Sequence, residues 1–264
     1  MKVFSVCGIS DSGKTTTIEL IIAELVRRGY RVGSVKDIHN EEFAIDPRED
    51  SNTNRHKRAG ATLVTARGYH ETDILYPTQL PVDKILDIYE REAYDWVVLE
   101  GVDCIKIPTI VTAHHMADLE EKWSEMSFAL SGRLSAEIGE YQGKPAIDAT
   151  TDIQKLVDLI ELKVYDRLPN FPDECCMACG YNCNGLAAAI IAGNANRRDC
   201  VADKGIELLV NGRKIKMVPF VQDILRNALV GVVSTLEGYE KGCNIEVNLT
   251  DNLFQQQTKS SQVD

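Results

Sequence analysis

Apolar positions in the first two thirds of the chain fall into short solid runs separated by stretches of helical period. Lys2 to Cys7 and Asp95 to Glu100 (DWVVLE) are nearly continuous apolar runs, the signature of strands covered on both faces. Between residues 15 and 28, Ile18, Ile21, Ile22, Leu25 and Val26 recur at helical spacing, with Gly29 as the stop. The same reading gives strands at 31–36, 61–66, 73–76, 109–113 and 127–131. It gives helices at 51–60, 82–92, 116–126 and 152–164. This alternation predicts an α/β fold, a doubly wound and mostly parallel sheet clad in helices.

The pattern changes at Leu168-Pro169-Asn170-Phe171-Pro172, which breaks the last helix. A cysteine-rich segment with a small apolar helix (Gly185 to Gly193) follows. Two runs, 206–210 and 214–218, then flank Asn211-Gly212, a hairpin turn signal because both residues readily take positive φ. A helix at 220–236 and a strand at 244–249 complete a small α+β extension. Residues 255–264 hold one apolar side chain, Val263, and read as a disordered tail. The expected organisation is a nucleotide-binding domain at 1–167, a cysteine segment at 168–204, a small module at 205–254 and a tail at 255–264.

Gly8-Ile9-Ser10-Asp11-Ser12-Gly13-Lys14-Thr15 fits G-x-x-x-x-G-K-[ST] at every position, between a strand and a helix. The glycines let backbone N–H groups turn inward on a β-phosphate, and the helix N-terminus adds its positive end. Gly8, Ser10, Asp11, Ser12, Gly13, Lys14, Thr15 and Thr16 are the candidate nucleotide-binding residues. Lys14 is placed to neutralise the β- and γ-phosphates, and Thr15 to ligate Mg²⁺. A carboxylate at the end of another buried strand is expected as the second Mg²⁺ partner. Glu100 fits, with Asp46 and Asp50 as loop alternatives, and Asp50 is retained as a candidate nucleotide contact.

Composition narrows the ligands. The 264-residue chain carries a net charge of −11 without basic runs, which disfavours nucleic acid. No stretch approaches the ~20 apolar residues of a membrane span. A cleaved leader would remove the phosphate loop, so a cytoplasmic protein is expected. The first domain lacks Asn-Lys-x-Asp, the usual guanine-reading element of regulatory GTPases. It also lacks a lysine at positions 9 and 10, where dimeric ATPases that drive electron transfer carry one.

Five of the eight cysteines, Cys175, Cys176, Cys179, Cys183 and Cys200, fall within 26 residues. In a reducing compartment such a cluster reads as a metal site before disulfides. The spacing Cys176-x2-Cys179-x3-Cys183-x16-Cys200 suits a [4Fe–4S] cluster, with Cys175 as an alternative first ligand. A four-cysteine Zn²⁺ site is the competing reading, although a second Cys-x2-Cys knuckle is missing.

Several ordered elements resemble the MobB family, molybdopterin-guanine dinucleotide biosynthesis protein B. They are Gly8 to Thr16, Gly29 to Gly33, Lys36, His39, Phe43 to Asp46, Asp50-Ser51, Arg55-His56, Ala59 to Ala61, Leu99 to Gly101 and Lys144 to Ile153. Together they span about residues 1 to 165. The chain departs from the family pattern at Asp37 and at Val102. The resemblance implies GTP rather than ATP, slow hydrolysis and a homodimer. It also implies a supporting role beside a molybdopterin nucleotidyltransferase or a molybdenum or tungsten client enzyme. Residues 168–200 resemble the four-iron domain of corrinoid iron–sulfur proteins. Two other functions fit the residues: an ATP-dependent redox activator of a metalloenzyme, and a non-catalytic nucleotide switch with structural zinc.

Overall fold

The structure, a computed structural model, describes residues 1–40, 43–44, 48, 50–102, 106–172, 176–202 and 206–248. Contacts divide the chain into two compact units, Met1–Ala202 and Asp203–Asp264.

The first unit begins with β1 (Lys2–Gly8), α1 (Lys14–Arg27), β2 (Val32–Lys36), α2 (Asn52–Arg58), β3 (Val64–Arg67) and β4 (Thr72–Leu75). It continues through α3 (Val82–Arg91), β5 (Trp96–Glu100), β6 (Thr109–Thr112), α4 (Met116–Lys122) and β7 (Ser127–Ser131). A short 3-10 turn at Arg133–Ala136, β8 (Glu140–Tyr141), β9 (Lys144–Pro145), α5 (Ile153–Lys163) and α6 (Cys183–Ala192) complete it, with a second 3-10 turn at Arg197–Asp199. Five strands form one sheet in the order β2-β5-β1-β6-β7, every pair parallel. This is the expected mostly parallel α/β fold.

Residues of β1 and β5 alternate between two apolar layers, as the period of two requires. Phe4, Val6, Trp96 and Val98 share one core with Ile18 and Ile21 of α1, Leu156 and Ile160 of α5, and Leu186 and Ile191 of α6. Val3, Val97 and Leu99 face Leu86 of α3, and Cys7 and Val111 face Leu119 of α4. The helix of the cysteine segment therefore lies inside the core of the first unit. It starts at Cys183, two residues before the apolar run, because Asn182 caps it by accepting from Gly185 N at 2.6 Å.

The chain returns to the amino end of β1 after α5. Lys2 pairs with Asp166, and Arg167 N donates to Met1 O at 3.0 Å. The Arg167 guanidinium, 7% exposed, holds Asp83 at 2.7 Å and Asp87 at 2.8 Å on α3.

Two predicted elements differ. The strands expected at 61–66 and 73–76 pair only with each other, as the hairpin β3–β4 outside the main sheet. Their alternating burial suits a sheet with one covered face. The β8–β9 hairpin was not foreseen. It turns on Gln142 and Gly143, both at positive φ.

The second unit contains β10 (Leu209–Val210), β11 (Arg213–Lys214) and α7 (Pro219–Val233). Asn211 and Gly212 both take positive φ, as the turn signal required, but the strands are two residues each. Residues 244–248 form no strand, and Leu249 and the tail lie outside the described residues. Among the described residues no helix is long and apolar enough to cross a membrane.

An acid-sensitive clamp ties α1 to α5. Glu24, 5% exposed, accepts from Arg27 Nε at 2.7 Å and Arg28 Nε at 2.8 Å. Arg28 also reaches Asp158 and Glu161 of α5, both at 2.7 Å. The arginine hydrogen bonds hold the Glu24 carboxyl down to about 2. Its folded value is depressed, so its stabilisation is full above the unfolded value of about 4.3 and is lost as pH falls toward 2. Glu24→Gln is expected to unfold at lower urea than the parent at pH 7, with the gap closing between about pH 4.5 and 2. Urea titrations across that range check it.

Candidate functional site

The phosphate loop lies at the carboxyl end of β1. Here the chain leaves β1 for β2 on one side of it, while β6 and β7 lie on the other, the position where open parallel sheets bind ligands. A cleft of about 1150 Å³ opens over it.

The loop conformation is enforced from outside. Gly8 has φ 152°, and a Cβ there would lie 2.1 Å from Thr112 O and 2.4 Å from Thr112 Oγ1. No other residue fits so close to the end of β6. Gly132, after β7, presses on the loop from the far side; a Cβ there would stand 2.3 Å from Ser12 O. Arg133 N donates to the same Ser12 O at 3.2 Å. Ser12 is fully buried, its hydroxyl 2.7 Å from Thr112 Oγ1 and 2.8 Å from Ile9 O. Thr112 Oγ1 also donates to Cys7 O at 3.2 Å. His114 Nε2 stands 3.1 Å from Ser10 O; since a carbonyl only accepts, this nitrogen carries the proton.

Lys14 bends back over the loop, its ammonium donating to Gly8 O at 2.9 Å and to Ile9 O. Burial lowers its pKa, opposed by the Glu100 carboxylate. Thr15 Oγ1 faces Glu100 Oε1 at 3.3 Å. The sequence-chosen hydroxyl and carboxylate are thus brought together from residues 85 apart, a hard-oxygen pair suited to Mg²⁺. Lys36 Nζ ion-pairs with the same Glu100 oxygen at 3.0 Å. Lys36 and Glu100 are neighbours because β2 and β5 pair in register at their last residues.

Gly8, Ser10, Asp11, Gly13, Lys14, Thr15 and Thr16 line the cleft, and Ser12 braces it from beneath. Asp50 is exposed and does not line it, and Asp46 lies outside the described residues. On the β5 side the wall includes Lys36, His39 and Gly101. On the β6–β7 side it includes Lys122, Arg133, Asp148 and Thr150. Sequence reading gave no chemical role to Thr112, Gly132, Arg133 or Asp148. The signal available for Asp148 was its place in the Lys144 to Ile153 run.

Cys183 lies toward the other end of β1. Cys183 borders a small cavity shared with Val3 and Arg167. Val3 and Gly8 are five residues apart, about 16 Å along a strand. Burial pushes the Cys183 thiol up, and Cys200 and Cys176 act in the same direction, so these sulfurs are within electrostatic reach. Cys179 Sγ donates to Tyr181 O at 3.4 Å. Among the described residues, no three His, Cys, Asp or Glu side chains gather into a metal-holding group. Cys175 lies outside those residues. The sulfur chemistry suits iron, but the placement falls short of a closed cage.

Removing the Thr112 hydroxyl at nearly constant shape tests the brace. Thr112→Val should lower folding stability by about 1–3 kcal/mol, the usual cost of stranding a buried polar partner, and weaken nucleotide binding. Urea unfolding and a nucleotide titration read the two effects, and an unchanged midpoint would refute the role.

Comparison with known proteins points to one family. Residues 3–129 match the family model described as MobB, Molybdopterin guanine dinucleotide synthesis protein B. A Methanocaldococcus jannaschii protein, named provisionally as a molybdopterin-guanine dinucleotide biosynthesis adapter protein, is 28% identical over 253 residues. That match covers 94% of this chain and 97% of the relative. A molybdopterin-guanine dinucleotide biosynthesis adapter protein from Haemophilus influenzae is 33% identical over 108 residues, 40% of this chain and 60% of its own length. The crystal structure of Bacillus subtilis MobB superposes with a TM-score of 0.51 at 22% identity, covering 63% of this chain and all of that one. Residues 3–129 are thus similar in sequence to the MobB family, and the parallel sheet built around the phosphate loop has the fold of the solved MobB structure.

Proposed function

We propose that this chain binds GTP with Mg²⁺ in the cleft, hydrolyses it slowly, and acts as an adapter in the biosynthesis of the molybdopterin-guanine dinucleotide cofactor. The observation that carries this reading is the facing pair Thr15 and Glu100 beside Lys14, at the mouth of a complete phosphate loop. The names of the relatives point to the same pathway. Its partners would be a molybdopterin nucleotidyltransferase or a molybdenum or tungsten client enzyme, met in the cytoplasm by a homodimer.

The residues have separable tasks. The loop N–H groups and the N-terminus of α1 hold the β-phosphate. Lys14 exchanges its two loop carbonyls for β- and γ-phosphate oxygens. Thr15 and Glu100 would hold Mg²⁺, which neutralises charge developing on the transferred phosphoryl group. Lys36 has to yield the shared Glu100 oxygen for that role.

Lys14→Ala should weaken GTP binding by about a hundredfold, the loss of two charge-assisted contacts, and abolish turnover. Glu100→Gln should keep part of the binding and lose Mg²⁺-dependent turnover. Calorimetry and phosphate release check both, and a Lys14→Ala protein that binds like the parent would sink the assignment.

The cysteine segment is proposed as a [4Fe–4S] module held by Cys176, or Cys175, with Cys179, Cys183 and Cys200. It is supported by the spacing and by the electrostatic proximity of Cys183, Cys200 and Cys176. Anaerobically purified protein should contain about four iron and four sulfide per chain. About one zinc without sulfide would replace this module with a structural clip.

A further inference from the structure

We propose that Asp148 is the residue that selects guanine. The inference rests on the nucleotide-binding reading of the cleft and adds the element that decides which base enters it.

The two walls of the cleft differ in what they can hold. The terminal phosphates and their cation belong on the β5 side, where Thr15, Glu100 and Lys36 converge. The base then extends the opposite way, over the 3-10 turn after β7 and the loop before α5. Two acids reach the cleft on that side, Glu121 and Asp148. Glu121 is exposed and pairs with the adjacent Lys122 at 3.1 Å. Asp148 is half-buried and held in a fixed pose.

That pose comes from one oxygen alone. Asp148 Oδ1 accepts from Thr150 N at 2.9 Å and from Thr150 Oγ1 at 2.8 Å. The loop closes further as Thr151 N and Asp152 N donate to Asp148 O at 3.2 and 2.9 Å. Asp148 Oδ2 has no partner among the described residues. Arg133, which lines the same wall, forms no ion pair with it. A carboxylate carries four acceptor sites, two on each oxygen; Thr150 fills both on Oδ1, and both on Oδ2 stay available.

Guanine is the purine that answers this arrangement. Its N1–H and exocyclic 2-amino group present two adjacent donors, one for each free lone pair of Asp148 Oδ2. Adenine places an acceptor at N1, which a carboxylate repels. A site built around such paired hydrogen bonds discriminates strongly, because the wrong base leaves its polar groups unmatched. Asp148 thereby supplies what the missing Asn-Lys-x-Asp element supplies elsewhere.

The decisive experiment swaps the donor pattern on both sides. Xanthine keeps N1–H but carries a carbonyl at position 2, which a carboxylate repels. The parent should bind GTP about a hundredfold more tightly than ATP or xanthosine triphosphate. Asp148→Asn, which sets an amide nitrogen where Oδ2 stood, should lose about a hundredfold for GTP and little for ATP or xanthosine triphosphate, levelling the preference. A purely structural role in the loop before α5 would lower affinity for all three alike, and that outcome would overturn the proposal. Inosine triphosphate supplies a test on the parent alone. It lacks the 2-amino group and should bind about tenfold more weakly than GTP; equal affinity overturns the assignment even if the variant fails to fold. Equal binding of GTP and ATP by the parent refutes Asp148 and leaves the phosphate loop standing. Binding of no nucleotide at all refutes both.

Discussion

A phosphate loop demands backbone N–H groups turned toward one point, a conformation that ordinary side chains do not tolerate unaided. In this protein the demand is met by crowding. Gly8 lies against the end of β6, and Gly132 lies against Ser12 from the far side. The Ser12 and Thr112 hydroxyls lock the space between them. Each contact exists because β1 is the middle strand of five, with β6 and β7 in parallel register beside it. The apolar layers that hold that register therefore also set the loop.

The central strands and the loop were legible because their signals are local. Solid apolar runs such as Trp96 to Leu99 declare burial on both faces, and the glycine and lysine spacing declares the turn. The Thr15–Glu100 pair was also foreseen, from the rule that a buried strand ends in an acid near the phosphate loop. The segments around Val64 and Leu75 were read as strands, yet nothing local said that they would pair only with each other, outside the main sheet.

What stayed hidden depends on register between distant segments. Lys36 meets Glu100 because two strands end level, and no spacing along the chain encodes that. Thr112 and Gly132 act through the loop they touch, 100 residues or more away in sequence. The cysteine spacing was visible, whereas the burial of the following helix in the main core was not: GLAAAIIAG states that it is apolar without stating against what.

That burial bears on how the chain can be divided. Leu186, Ala187 and Ile191 are each at most 2% exposed, within the layer that also covers Phe4 and Ile21. A protein trimmed at the proline break near residue 169 would bare that layer to water. The apolar area uncovered, at roughly 25 cal/mol per Å², would favour aggregation over a soluble fragment. The phosphate-loop half of this molecule is thus not a portable part: its hydrophobic lining is completed by residues that follow the first cysteines.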